Sequence, residues 1–99
     1  GELFGMEILG LHDLIVNELF DKHSLSALVY AINAGRELEF IYNGIEYFLS
    51  KSGSKKVVSI WTGEVEQSFE SMESLIFNAT LDGEKFIKVW DNLKLICLF

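Results

Sequence analysis

Cysteine is almost missing from this chain. Cys97 stands alone among 99 residues, which excludes an internal disulfide and any metal site built from several thiolates. Histidine is nearly as scarce: on one continuous helix His12 and His23 would lie about 16 Å apart along the axis, too far to share an ion, and neither stands in a His-x-x-x-His pattern. Positive charge is also short, with 8 Lys and Arg against 15 acids and a formal net charge of −7. Phosphate recognition depends on clustered Lys and Arg, so this balance argues against a nucleic-acid or anionic-membrane partner. Uninterrupted apolar runs are lacking too. The stretch from Leu3 to Phe20 is broken by Glu7, His12, Asp13, Asn17 and Glu18, and no base precedes Lys22, so it reads neither as a membrane span nor as an export signal. With the lone thiol, these absences predict a cytoplasmic protein.

What remains is apolar and aromatic. A hydrophobic fraction of 49% and an aromatic fraction of 13% argue against disorder, and a chain of this length fits one domain, residues 1–99, that buries roughly two-thirds of its unfolded surface. The charge is uneven. Residues 1–50 carry eight acids against Lys22 and Arg36, whereas residues 51–99 carry seven acids against six lysines.

Phe4, Ile8, Leu11, Ile15 and Leu19 recur at helical spacing, with Leu14, Val16 and Phe20 widening the stripe. A second helix follows over Leu25, Leu28, Val29 and Ile32, capped by Ser24 and stopped by Gly35. From Glu37 the period changes to two, and Asn43-Gly44 is the dipeptide a type I′ hairpin prefers. That turn sets Tyr42 against Ile45, Phe40 against Tyr47 and Leu38 against Leu49, all on one sheet face. The polar loop "SKSGSKK" leads to a third strand at Val57 to Trp61, and Thr62-Gly63 turns the chain into a fourth, Glu64 to Phe69.

Ser71 reads as the N-cap of a helix whose stripe is Met72, Leu75, Ile76 and Ala79. Asp82 reads as the cap of another, with Leu81 and Phe86 as its hydrophobic staple, Phe86, Val89, Trp90 and Leu93 on one face, and a Glu84–Lys88 surface pair. "LKLICLF" closes the chain as a strand. The expectation is an α+β domain: an antiparallel meander sheet of about five strands with two N-terminal and two C-terminal helices packed on it, divided into 1–35 helical, 37–69 β-meander and 71–99 helix-helix-strand.

No motif carries catalysis. Cys97 in its apolar strand reads as a small hydrophobe, since a nucleophile needs a base brought from afar. No serine stands in Gly-x-Ser-x-Gly, and "SKSGSKK" lacks the Gly-Lys-Ser/Thr ending of a phosphate loop. The helix at 25–34 contains no Lys or Arg, which argues against helix-turn-helix DNA reading. Accordingly no catalytic residue, cofactor or metal is expected. The second sheet face is less bland, because Ile41 and Phe48 stand there among Glu37, Glu39 and Glu46, with Val57 and Trp61 in the same alternation class. Such a face needs covering, and the amino-terminal helices are expected to do it. Leu11, Ile15 and Leu19 are expected to pack on the sheet, while Val16 and Phe20 turn toward a flank that a homodimer would bury. The expected interaction surface is therefore Val16, Phe20, Ile41, Phe48 and Trp61, met by a second copy or another protein.

"NAGRELEFIYNGIEYFLS" followed by "SFESMESLIFNATLDGEKFIKVWDNL", within a span of about two-thirds of the chain, resembles a pattern found in small uncharacterised proteins of Gram-positive bacteria and their mobile elements. The resemblance implies a bacterial cytoplasmic setting and carries no activity. The function expected is that of a small non-enzymatic interaction or accessory protein. The alternatives are a small-ligand binder or enzyme using acids around a sheet cavity, and an acidic decoy of a DNA-binding protein.

Overall fold

The computed structural model describes the backbone of residues 2–54 and 56–99, and side chains from residue 10 onward except those of His12 and Lys55. Its sheet is organised by the first hairpin. Asn43 and Gly44 both take positive φ, 51° and 76°, as a type I′ turn requires, and join β1 (Leu38–Tyr42) to β2 (Ile45–Lys51). The register sets Leu38 opposite Leu49, Phe40 opposite Tyr47 and Tyr42 opposite Ile45, as expected. β3 (Val58–Thr62) and β4 (Val65–Phe69) extend the meander around Gly63, whose φ is 58°. The last strand, β7 (Lys94–Leu98), returns to pair antiparallel with β1, giving the order β4-β3-β2-β1-β7. Cys97 faces Glu39 while Leu95 faces Phe40, so Ile96 is the extra residue of a β-bulge.

α1 (Glu2–Lys22) is interrupted at Gly10, where φ 73° and ψ 170° leave the helical region. A side chain resists that φ; glycine does not. His23, itself at φ 50°, turns the chain into α2 (Leu25–Asn33), where Ser24 Oγ accepts the Ala27 amide at 3.1 Å. α3 (Met72–Asn78) begins the same way, with Ser71 Oγ accepting the Ser74 amide at 3.1 Å.

Beyond α3 the structure corrects the sequence reading. Asp82 (φ 51°) and Gly83 (φ 83°) form a second hairpin tip between the two-residue strands β5 (Thr80–Leu81) and β6 (Glu84–Lys85). Asp-Gly is a type I′ dipeptide just as Asn-Gly is, and the turn wins over the helix cap. The helix α4 therefore starts only at Phe86, runs to Val89 and tightens into a 3₁₀ turn over Trp90–Asn92. Leu81 and Phe86 are buried without forming a staple, and Glu84 lies on a strand, so the helical Glu84–Lys88 pairing does not exist. Asn43 Nδ2 donates to Asp82 Oδ2 at 3.1 Å and ties the two tips together. Gln67 ties β4 to the second hairpin, donating to the Thr80 carbonyl at 2.7 Å and accepting its amide at 2.9 Å.

One apolar cluster joins these elements. Leu38, Phe40, Tyr47, Leu49 and Ile60 of the sheet meet Leu19, Leu28, Ile32, Leu75 and Phe86, with Phe40 stacked on Tyr47 and edge-on to Phe86. All of those sheet residues lie on a single face. The amino-terminal helices pack there, not over Ile41, Phe48 and Trp61 as the sequence reading had it.

Candidate functional site

Strand alternation builds the other face. Because Leu38 and Phe40 point into the core, Glu39 and Ile41 point away from it, and the cross-strand partners follow: Phe48 opposite Glu39, Glu46 opposite Ile41, Trp61 opposite Phe48, Glu66 opposite Trp61. Just before β1 and just after β7 the backbones of Glu37 and Phe99 exchange two hydrogen bonds, 3.4 Å and 2.7 Å, placing Phe99 on this face too. Its ring lies 6.0 Å from that of Phe48, centroid to centroid. Ile41, Phe48 and Trp61 are partly exposed, Phe99 is 55% exposed, and none of the four belongs to the core cluster.

The arrangement is a checkerboard. Ile41, Phe48, Trp61 and Phe99 each have a glutamate as a directly opposite neighbour: Glu46, Glu39, Glu66 and Glu37 respectively. Direct cross-strand partners sit about 5 Å apart, so carboxylate and apolar surface alternate within one side chain's reach. Glu66 is anchored, its Oε2 accepting from Ser59 at 2.6 Å and Ser68 at 2.8 Å, while the two hydroxyls lie 2.9 Å apart. Lys94, opposite Ile41 on β7, brings one positive charge. Cys97 lies in β7 opposite Glu39, partly exposed.

The remaining expected interface residues separate from this face. Phe20 packs against the core and Val16 is partly buried. Leu11, expected on the sheet, is 54% exposed, and Leu14 is 46% exposed. Leu19 alone of that set is fully buried. Burial thus rises along the helix after Gly10, from exposed Leu11 through partly buried Ile15 to fully buried Leu19.

His23 has a structural place. Its Nε2 donates to the Leu93 carbonyl at 3.0 Å, which requires the proton on that nitrogen, and its own carbonyl accepts Trp90 Nε1–H at 2.8 Å. The two rings are 5.2 Å apart. The His12 side chain lies outside the described residues. Burial pushes the Tyr47 hydroxyl above its ordinary value of 10.0, the Asp82 carboxylate adds to that rise, and a hydrogen bond with the Asp82 backbone opposes it.

Clefts flank the helices. One of about 250 Å³ lies between Leu11, Ile15, Tyr30 and Leu98, and a wider one of about 800 Å³ mixes Lys51 and Lys56 with Glu70 and Glu73. Among the described residues no three His, Cys, Asp or Glu side chains are grouped to hold a metal, and no helix is long and apolar enough to cross a membrane. Comparison with protein-family models, curated proteins and solved structures finds no match. Phe99 and Glu66 are the surface residues that sequence reasoning missed. The signal was the continuation of the alternation through the fourth and last strands.

Proposed function

We propose that the protein is a small non-enzymatic interaction protein that receives a partner on the open face of its sheet. The observation that carries this reading is the row Trp61, Phe48 and Phe99, with Ile41 beside it, left outside the core on a sheet whose described helical core residues pack on the opposite side. A solvated antiparallel face is ordinarily polar. Contiguous aromatic surface, in contrast, marks a place where another molecule sits.

The catalytic alternative has less support, because His23 is engaged structurally on the core side and Cys97 faces Glu39 with no histidine beside it in the register. The acids are spread over α1, the sheet, α3 and the second hairpin, which favours a docking face over a decoy with one acidic ridge. The setting we propose is bacterial and cytoplasmic, from the lone thiol and the resemblance of residues 33–50 and 68–93.

A photo-reactive phenylalanine analogue at position 48, and separately at the exposed Phe77 of α3, tests the reading. Position 48 is expected to capture a partner that then binds the purified protein with one-to-one stoichiometry, and Trp61→Ser is expected to abolish that binding. Equal capture from position 77, or a metabolite that raises the melting temperature by several degrees, would count against it.

A further inference from the structure

We infer that the occupant of the open sheet face is a cationic, arginine- or lysine-bearing segment of another protein; this rests on the docking-face reading above. Glu37, Glu39, Glu46 and Glu66 supply four carboxylates, and Lys94 is the ammonium that accompanies them. Each carboxylate has an apolar or aromatic side chain directly across the strand. A guanidinium or ammonium head and its aliphatic stem match that spacing: the stem lies along Phe48 or Trp61, the head over the ring face or beside the neighbouring carboxylate. A neutral apolar partner would take the carboxylates of Glu37, Glu39 and Glu46 out of water and offer them no charge in return, which is costly.

Other occupants fit less well. A second copy set face to face would bring eight carboxylates, four from each chain, against two lysines. A row of aromatics on a sheet also suits stacked bases, but these glutamates would repel the phosphates, and among the described residues no cluster of basic residues tracks them. The same sign excludes an anionic lipid surface. Glu66 is held in place by Ser59 and Ser68 before any partner arrives, which reduces the ordering cost of a charged contact.

The test is a titration followed by ¹⁵N–¹H correlation spectra, using an acetylated arginine nonapeptide amide and the citrulline nonapeptide that matches its shape without its charge. The arginine peptide is expected to give saturable shifts at the amides of Glu39, Ile41, Phe48 and Trp61 and at the Trp61 indole, weakened by added salt. Glu39→Gln with Glu46→Gln is expected to weaken binding by roughly tenfold at unchanged melting temperature, two ion pairs being lost. Phe48→Ser, or Trp61→Gln should that variant melt early, is expected to weaken it with every charge retained. Shifts confined to Asp13, Glu18 and Asp21 of α1, an equal response to the citrulline peptide, or indifference to loss of the rings would each overturn the inference. The two layers separate cleanly. A partner captured at position 48 through a neutral or acidic segment defeats the cationic assignment and leaves the docking face standing, whereas no contact at position 48 with any probe or partner defeats both.

Discussion

Replacing Trp90 should be among the most damaging single changes to this fold. The side chain is 4% exposed, stacks on Phe86 at 5.6 Å and 25°, tilts against His23 at 5.2 Å and donates its indole N–H to the His23 carbonyl at 2.8 Å. Truncating a buried Trp to Ala costs about 3–5 kcal/mol from lost burial and the cavity left behind. Native stabilities are about 5–15 kcal/mol, so Trp90→Ala removes a large part of the whole. In a domain of this size each kcal/mol moves the melting temperature by about 4–8 °C, which predicts a fall of about 12 °C or more. Trp90→Phe separates the contributions, keeping a ring beside Phe86 and losing the hydrogen bond, for about 1–3 kcal/mol. Urea denaturation followed by far-ultraviolet circular dichroism measures both without relying on the altered fluorophore. Combining Trp90→Phe with His23→Ala should reveal coupling of about 0.5 kcal/mol or more, because the residues touch. A cost below about 1 kcal/mol for Trp90→Ala, smaller than any buried aromatic truncation of this kind, would refute the reasoning, as would ready quenching of Trp90 by acrylamide in a Trp61→Phe background.

Gly44→Val should lower the urea midpoint by the equivalent of about 1–2 kcal/mol, since a β-branched residue resists the φ of 76° held there; an unchanged midpoint would remove the turn assignment. Gln67→Ala should release the Thr80 amide, seen as faster hydrogen–deuterium exchange at Thr80 with little change at Leu49 in the sheet centre. The Tyr47 hydroxyl, raised by burial and by Asp82, binds its proton more tightly folded than unfolded. Its contribution is therefore complete below pH 10 and lost as pH rises from there through the folded value, so Tyr47→Phe should flatten the alkaline fall in melting temperature, and identical slopes would contradict the assignment. The homodimer expected through the Val16 and Phe20 flank of α1 can be tested at the neighbouring exposed Leu14: sedimentation equilibrium should give a mass above 11.3 kDa that Leu14→Glu lowers toward the monomer value, and a monomeric wild type at tens of micromolar would end that expectation.

The local chemistry of the sheet was readable in advance because it depends on neighbours in sequence. Asn43-Gly44 imposes one loop length, and the alternation from Leu38 to Leu49 then admits one register, which is the one observed. Ser24 and Ser71 cap helices for similarly local reasons. Asp82-Gly83 was equally local but ambiguous, since the spacing of Leu81 and Phe86 suits a staple as well as a hairpin, and burial of both residues satisfies either. Which sheet face the helices choose is a long-range question. Alternation sorts Ile41, Phe48 and Trp61 from Phe40, Tyr47 and Leu49 without saying which set loses water, and the decision falls to the larger, glutamate-free set. Gly10 escaped notice because a single glycine within an apolar stripe leaves the spacing intact while breaking the backbone.

The link between the hairpin tips has a chemical sequel. Asn-Gly is a dipeptide whose side-chain amide is prone to attack by the next backbone nitrogen, and hydrolysis of the product leaves aspartate or its isomer. At Asn43 the amide is the donor to Asp82 Oδ2. Deamidation would replace that donor with a carboxylate, setting two like charges about 3 Å apart, where both resist ionisation together. Ageing of one turn would thereby be registered at another 39 residues away, and a stored sample would grow more acidic and less firmly closed at the same end of the sheet.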